Sequence, residues 1–191
     1  KTPTARKPKP YGEAAARQRV ETFMKNARHS SSYSHEEVPD LWPPEEVKSR
    51  SFLAEGYTGA GFNEYILLMN PNDYQITVQL RYILASGLSV VKVIHIAPKS
   101  RTTVPVNTTI DGQDVSTSII SNEPGLIAER ALYFNYNGVW PGGHNVMGTD
   151  NPQTEWYFAE GCTRPGFNTW LCLQNPNENA ATVTLDYYCG D

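Results

Sequence analysis

The sequence lacks any apolar run long enough to cross a lipid bilayer, so no membrane span is expected. It also lacks a Gly-x-Ser-x-Gly elbow, a P-loop and a Cys-x-x-Cys pair, and its four histidines show no metal-ligand spacing. The usual signatures of a hydrolase, a nucleotide-binding protein and a zinc protein are therefore missing. We expect a protein that is not an enzyme, with no catalytic residue, no bound metal and no cofactor.

Cysteine is scarce, and all three residues of this type lie near the end of the chain, at Cys162, Cys172 and Cys189. Three thiols allow one disulfide with one thiol left over. The spacing leaves open which two of them pair.

Charge is unevenly divided along the chain. Residues 1–50 hold ten Lys and Arg against seven Asp and Glu, whereas residues 51–191 hold six against thirteen. The first ten residues are basic and rich in proline, which predicts an extended, solvated arm. Such arms bind nucleic acid or anionic membranes in some proteins, but four charges without interleaved aromatic side chains favour neither partner here.

A helical pattern follows the arm, over about residues 11–28. Apolar side chains recur there every three or four positions, at Ala16, Val20, Phe23, Met24 and Ala27. This spacing predicts one amphipathic helix, whose apolar stripe must pack on something. Its own β domain is the favoured site and a partner subunit is the alternative. A polar linker with several prolines then leads to residue 50.

The chain contains an internal repeat. Residues Ser51–Tyr82 (repeat A) align without a gap on Trp156–Tyr187 (repeat B), with identity at 15 of 32 positions. Composition alone would give roughly two identities. We therefore expect a modular repeat protein.

Both repeats alternate in the way that strands do. In repeat A the apolar residues Tyr65, Leu67 and Met69 share one face, and Val78, Leu80 and Tyr82 share one face after an Asn-Pro-Asn turn. A period of two on either side of a turn predicts an antiparallel strand pair with one buried and one solvated face.

Further strand-like runs follow repeat A at short intervals. They cover residues 89–96, 102–107, 116–121 and 127–136. Asn137-Gly138 after the last run is a strong signal for a tight hairpin turn. Together these runs predict an all-β fold, an antiparallel immunoglobulin-like sandwich, with residues 51–150 as the first unit and 1–50 as arm, helix and linker.

Residues 151–191 hold only the beginning of a second unit, about three strands, which are too few to close a sandwich. Three completions are open. Repeat B belongs to a longer array, or its strands join the sheet of the preceding unit, or a segment of a neighbouring molecule completes it by strand addition.

The tripeptide apolar-Ala-Glu occurs three times and places Glu55, Glu129 and Glu160 in similar contexts; Arg130 follows the second. Three such carboxylates raise the hypothesis of a metal or acid-base site. A carboxylate that recurs in tandem units is better explained by the packing that the units share than by two copies of an active site. The favoured interpretation is therefore a structural role at the junction between units, with Arg130 as the ionic partner.

Aromatic residues gather around the glycine-rich turn between Tyr133 and His144. Tyr136, Trp140 and His144 are the candidate ligand-binding residues, because aromatic faces stack on sugars. The competing interpretation is that these rings fill an interface with the next repeat unit.

Three motifs resemble a known family: residues 156–161 (WYFAEG), residues 175–177 (NPN) and residues 128–134 (AERALYF). They are similar to a poorly characterised bacterial repeat that occurs in tandem in secreted and cell-surface proteins. The resemblance covers residues 51–191. It implies a modular β fold and an extracellular or cell-surface location, and it brings no known activity.

Taken together, the sequence predicts an extracellular structural subunit that assembles with copies of itself into a filament, sheath or surface layer. The alternative is a cell-surface adhesin or carbohydrate-binding module, with glycans as its ligands.

Overall fold

A computed structural model describes residues 39–177 and 179–188. The predicted basic arm and the amphipathic helix over about residues 11–28 lie outside the described residues, as does Cys189. Two short 3-10 helices, Pro44–Glu46 and Val106–Thr108, are the helical segments of the described part. No helix within these bounds is long and apolar enough to cross a membrane.

Eight antiparallel strands form the folded body, and they confirm the predicted all-β class. They are β1 (Ser49–Leu53), β2 (Phe62–Asn70), β3 (Ile76–Leu84), β4 (Ser89–Ile96), β5 (Ser100–Pro105), β6 (Val115–Ser121), β7 (Ile127–Tyr136) and β8 (Trp140–Met147). The predicted runs over residues 89–96 and 127–136 coincide with β4 and β7.

The strands are arranged in two sheets of four, in the orders β1-β6-β3-β4 and β5-β2-β7-β8. Repeat A therefore contributes β1 and β3 to one sheet and β2 to the other. Two of these strands are central: β2 pairs with both β5 and β7, and β3 pairs with both β4 and β6. The three strands of repeat A therefore pair with strands that follow them in the chain and depend on those strands.

The core lies between the sheets and is built from alternate residues of the central strands. Ile66 and Leu68 of β2 face Val78 and Leu80 of β3, and all four are buried. The predicted buried face of β3 is confirmed. In β2 the buried face is the one opposite to that of Tyr65, Leu67 and Met69, because both faces of this strand are apolar. Tyr65 lies on the outer face, where its ring packs edge-on to that of Tyr133, with the ring centroids 6.0 Å apart.

The Asn137-Gly138 turn is a hairpin turn as predicted. Both residues have positive φ angles, 55° and 70°, which a primed two-residue turn requires. The prediction of one glycine-rich turn between Tyr133 and His144 is wrong in its extent: the residues after Val139 form strand β8, paired with β7 from Tyr136–Trp140 to Glu129–Met147.

The chain changes sheets immediately after β8. The Gly148 N–H still donates to the Ala128 carbonyl of β7, at 3.0 Å, whereas Thr149 exchanges two backbone hydrogen bonds with Phe52 of β1, at 2.7 and 3.1 Å. The exit of the chain is thereby held against the outer edge of β1, beside the point where the chain enters the sandwich.

Repeat B forms no strand among its described residues, although it shares the alternation of repeat A. The structure therefore does not show the completion in which its strands join the preceding sheet. The physical reason lies in repeat A, where each strand is paired with at least one strand from residues 100–147. Equivalent partners for repeat B are absent from the described residues.

Candidate functional site

A charged cluster lies where the inner face of β7 meets the segment after β1. The guanidinium of Arg130, which is 2 % exposed, donates through Nη2 to the Glu55 carboxylate at 2.8 Å and through Nη1 to the Glu55 backbone carbonyl. Two bonds to one residue fix both the side chain and the backbone of Glu55. This pair joins the end of β1 to the middle of the other sheet.

Glu64 of β2 lies beside this pair and is more deeply buried. Its side chain is 1 % exposed, and neither carboxylate oxygen makes a hydrogen bond of normal geometry within the described residues. Burial raises the pKa of Glu64 to about 7, against the opposing effects of the Arg130 charge and the Tyr57 backbone N–H. Glu64 thus changes its charge near neutral pH.

Glycine at position 56 makes room for this carboxylate. A Cβ atom at Gly56 would lie 2.5 and 2.6 Å from the two Glu64 oxygens and 2.6 Å from the Val115 carbonyl. Repeat B keeps this glycine as Gly161 but has Thr169 in place of Glu64. Repeat B thus has no glutamate at the position of Glu64. The buried acid belongs to the first unit and is not among the residues that the two repeats share.

Two further polar groups face the same interior from the opposite sheet. Tyr82 of β3 and Thr117 of β6 are register partners, both are buried, and neither hydroxyl has a hydrogen-bond partner in the described part of the chain. Burial and the nearby charge of Glu64 raise the pKa of Tyr82. No local sequence pattern indicates this group of buried polar atoms, because its members are far apart along the chain.

The structure separates the three candidate ligand-binding residues. His144 lies in the middle of β8, with Nδ1 at 3.3 Å from Arg130 Nη2 and Nε2 at 3.8 Å from a Glu55 oxygen. It therefore extends the charged cluster. Tyr136 and Trp140 are opposite each other at the hairpin tip, where Trp140 is 66 % exposed. Their rings are available to solvent, and Tyr136 packs edge-on to Phe62 at 6.4 Å.

The other two candidate glutamates are not part of the cluster. Glu129 precedes Arg130 on β7, and because side chains alternate along a strand it falls on the opposite face. Glu160, the repeat B counterpart of Glu55, is exposed. The structure thus brings Glu55 and Arg130 together and leaves Glu129 and Glu160 apart, and a role at a junction between units stays a prediction.

The cysteines that the structure describes are both free thiols. A hydrogen bond with Arg164 lowers the pKa of the Cys162 thiol. Surrounding protein atoms raise the pKa of Cys172, even though part of this side chain reaches solvent. With Cys189 outside the described residues, the predicted disulfide stays a prediction.

The residues described contain no group of three or more His, Cys, Asp or Glu side chains that could hold a metal ion. The charged cluster consists of one cation, two carboxylates and an imidazole. Its two closest contacts cross-link the two sheets, so its geometry supports a structural role.

A different feature distinguishes the tail of the protein, residues 150–188. Large apolar side chains are exposed there at the positions that form the core in repeat A. They are Phe158, Leu171, Leu173, Val183 and Tyr187, the counterparts of Leu53, Ile66, Leu68, Val78 and Tyr82. Exposed apolar patches occur at contacts with proteins or membranes, in ligand grooves and on surfaces that aggregate.

No protein-family model and no curated protein matches this sequence. Among solved structures, the chain is similar to Thermotoga maritima 1070, with 15% identity and a TM-score of 0.50 over 55% of this chain and 95% of that one. The Anabaena sensory rhodopsin transducer matches with 18% identity over 44% of this chain and 94% of that one, at a TM-score of 0.39. The likeness to the Thermotoga protein concerns the fold alone.

Proposed function

We propose that this protein is a non-enzymatic, extracellular structural subunit that assembles with copies of itself into a filament, sheath or surface layer. Its β-sandwich unit and its unpaired repeat B supply the contacts, with the N-terminal arm as a further contact. The observation that carries the proposal is the exposure of repeat B at the positions that are buried in repeat A.

The energetic reasoning rests on this exposure. Burying a Leu, Val or Phe side chain contributes about 1.5–3 kcal/mol each. Repeat B exposes at least five side chains whose counterparts are core residues. Full burial of five such side chains would contribute roughly 7.5–15 kcal/mol, the same range as the roughly 4–15 kcal/mol that association costs. Covering this surface can therefore offset much of the cost of association.

The charge of the folded body agrees with a protein contact and disfavours a nucleic-acid one. Residues 51–191 carry an excess of seven negative charges, which repels phosphate groups. The repeat B strand segment 167–175 contains no charged residue at all. Packing of this segment on another molecule would desolvate no side-chain charge.

The test is the mass of the particles that the purified full chain forms, measured by light scattering and negative-stain microscopy over a range of concentrations. We expect large ordered particles. The double substitution Leu171→Asp and Leu173→Asp should abolish them, whereas Val93→Asp, at a half-exposed position of β4, should not. A chain that remains monomeric at every concentration contradicts the proposal.

The arm is tested by removing residues 1–38, which leaves every described residue in place. A cut at residue 50 would remove Ser49 and Arg50 from β1 and damage the fold. We expect the shortened chain to form smaller particles. Unchanged particles would show that repeat B suffices.

A second candidate function, glycan binding, has one specific observation in its favour. Tyr136 and Trp140 present two solvent-exposed rings across the hairpin tip, the kind of surface on which sugar rings stack. Trp140→Ala should remove affinity on a glycan array. Val139→Ala, at an adjacent position that is also 66 % exposed, is the matched control.

A further inference from the structure

We propose that the open edge of β8 binds residues 167–175 of another molecule of the protein by strand addition. This inference rests on the proposed function and identifies the two surfaces through which assembly occurs. Within residues 39–177 and 179–188, one sheet edge has no strand paired with it and one segment with the sequence of a strand belongs to no sheet.

Among the described residues, no backbone group pairs with the outer edge of β8. The Gly148 N–H donates to the Ala128 carbonyl of β7, so alternate residues counted back along the ladder direct their N–H groups to β7. The residues between them, Gly143, Asn145 and Met147, direct theirs away from the sheet. Pro141 has the same parity, and proline is tolerated in a strand where the N–H faces outward.

The other three sheet edges carry charged residues or a covering segment, whereas β8 has only Pro141, near its hairpin end, as a residue that hinders pairing. Thr149 occupies part of the β1 edge, Lys92 lies within β4, and Arg101 lies within β5. Charged residues and covering segments are the means by which proteins prevent edge-to-edge pairing. Strand β8 has neither Lys, Arg, Asp nor Glu, and all eight of its residues are exposed.

The segment 167–175 has the sequence of a central strand. It is the counterpart of β2, which in the first unit forms hydrogen bonds along both edges. It begins with the Phe-Asn and ends with the Asn of β2, and Gly166 and Pro176-Asn177 flank it as Gly61 and Pro71-Asn72 flank β2. Between its ends it carries Trp170, Leu171 and Leu173. The structure places these three side chains in solvent.

The geometry favours another molecule over the chain's own tail. Directly after β8 the chain crosses to the other sheet, where Thr149 pairs with Phe52. The chain thus leaves β8 along the edge of β1, and although Cys172 lies near enough to Glu55 and Arg130 to interact with their charges, residues 167–175 form no ladder with β8 in the described part of the chain. Pairing between molecules joins two different surfaces, so each molecule can bind one neighbour through β8 and another through its tail, which gives an open filament or a ring.

The first experiment substitutes Asn145 in the full chain. Asn145→Pro removes one outward N–H and leaves the bonds to β7 in place, and Asn145→Ala is the matched control that keeps this N–H. We expect a tenfold or greater loss of assembled mass at a fixed concentration for the proline variant and none for the alanine variant. Circular dichroism verifies that both variants keep the β signal of the wild type.

The second experiment leaves the protein unchanged. A synthetic peptide of residues 167–175 competes for the open edge, and a peptide of the same residues in scrambled order is the control. We expect dose-dependent shortening of the particles with the first peptide only. This readout supports the proposal even where Asn145→Pro fails to fold.

The outcomes separate the two proposals. Wild-type particles that persist in a folded Asn145→Pro variant, or that ignore the peptide, overturn the role of β8 while self-assembly stands. A wild-type chain that is monomeric at all concentrations overturns both. A monomer in which the Asn145 and Met147 amides are protected from hydrogen exchange shows that the chain's own tail occupies the edge, which also overturns pairing between molecules.

Discussion

Repeat A and repeat B are nearly half identical, yet repeat A forms three strands of a sandwich and the described residues of repeat B form none. Local sequence does not explain the difference, because the turn residues and the apolar alternation are shared. The difference lies in the partners: repeat A is followed by the five strands that cover it. The comparison indicates that the alternating pattern of a repeat forms strands only where partner strands are present. Three substitution experiments and one labelling experiment test it.

The largest effect is expected from matched substitutions at one repeat position. Leu68 is 1 % exposed and Leu173, its counterpart, is 54 % exposed. Leu68→Ala should lower the free energy of unfolding by about 2–5 kcal/mol, whereas Leu173→Ala should change it by less than about 0.5 kcal/mol. Urea unfolding at a protein concentration below the onset of assembly measures both values.

Equal effects of these two substitutions would show that repeat B is folded in solution. The comparison between the repeats would then fail, and the exposure of repeat B could no longer support assembly.

The second effect concerns the buried acid that repeat A has and repeat B lacks. The pKa of Glu64 is about 7 in the folded protein, against 4.5 for an ordinary glutamate. The folded state therefore holds this proton more tightly. The resulting stabilisation is complete below about pH 4.5 and is lost as the pH rises through 7, a change of about 3 kcal/mol.

Glu64→Gln should flatten the dependence of stability on pH between 4.5 and 7 and should make the protein more stable than the wild type at pH 8. Glu129→Gln, on the opposite face of the neighbouring strand, is the control. The groups that share the environment of Glu64 are Arg130, Glu55, His144 and Tyr82, and all four remain in both variants. An unchanged pH profile in Glu64→Gln would contradict the assignment.

A smaller effect is expected at the carboxylate that both repeats keep. Glu55→Gln weakens the ion pair with Arg130, and because the Glu55 side chain is partly exposed we expect a loss of about 1 kcal/mol. Glu160→Gln should have no measurable effect in the monomer. Thermal unfolding compares the two variants, and a loss of equal size at both sites would show that Glu160 has a partner in solution.

The smallest effect is chemical and lies within the tail. Since Arg164 lowers the pKa of Cys162 while its surroundings raise that of Cys172, Cys162 should be alkylated faster by iodoacetamide at pH 7. Peptide mass spectrometry after short exposures gives both rates. Slower labelling of Cys162, or a disulfide to Cys189, would show that the tail has a different arrangement in solution.

Much of the fold could be predicted from the sequence, because it depends on local patterns. Alternation located β4 and β7 at their correct bounds, and Asn137-Gly138 located the hairpin turn. The hairpin turn implies a return strand, but the length of β8 could not be predicted, since Trp-Pro-Gly-Gly has the composition of a loop and only pairing with β7 makes it a strand. The buried face of β2 was predicted incorrectly for a related reason: both of its parities are apolar, so only the packed sandwich decides between them.

The candidate site could be predicted only in part. The pairing of Glu55 with Arg130 was suggested by their repeated motif. The burial of Glu64 and Tyr82 was not, because no local pattern reports that residues on β2, β3, β6 and β7 converge. His144 was grouped with Tyr136 and Trp140 by proximity along the chain, but four residues along a strand separate it from the hairpin tip.

The two backbone bonds between Phe52 and Thr149 have a mechanical consequence. They hold the point where the chain leaves the sandwich beside the point where it enters, and because the two segments are antiparallel both run out in the same direction. Tension along a row of such molecules would separate these segments one bond at a time. Once the two bonds between Phe52 and Thr149 have broken, the force acts on β1 and on its ladder with β6. The strands around Glu64 do not bear this force.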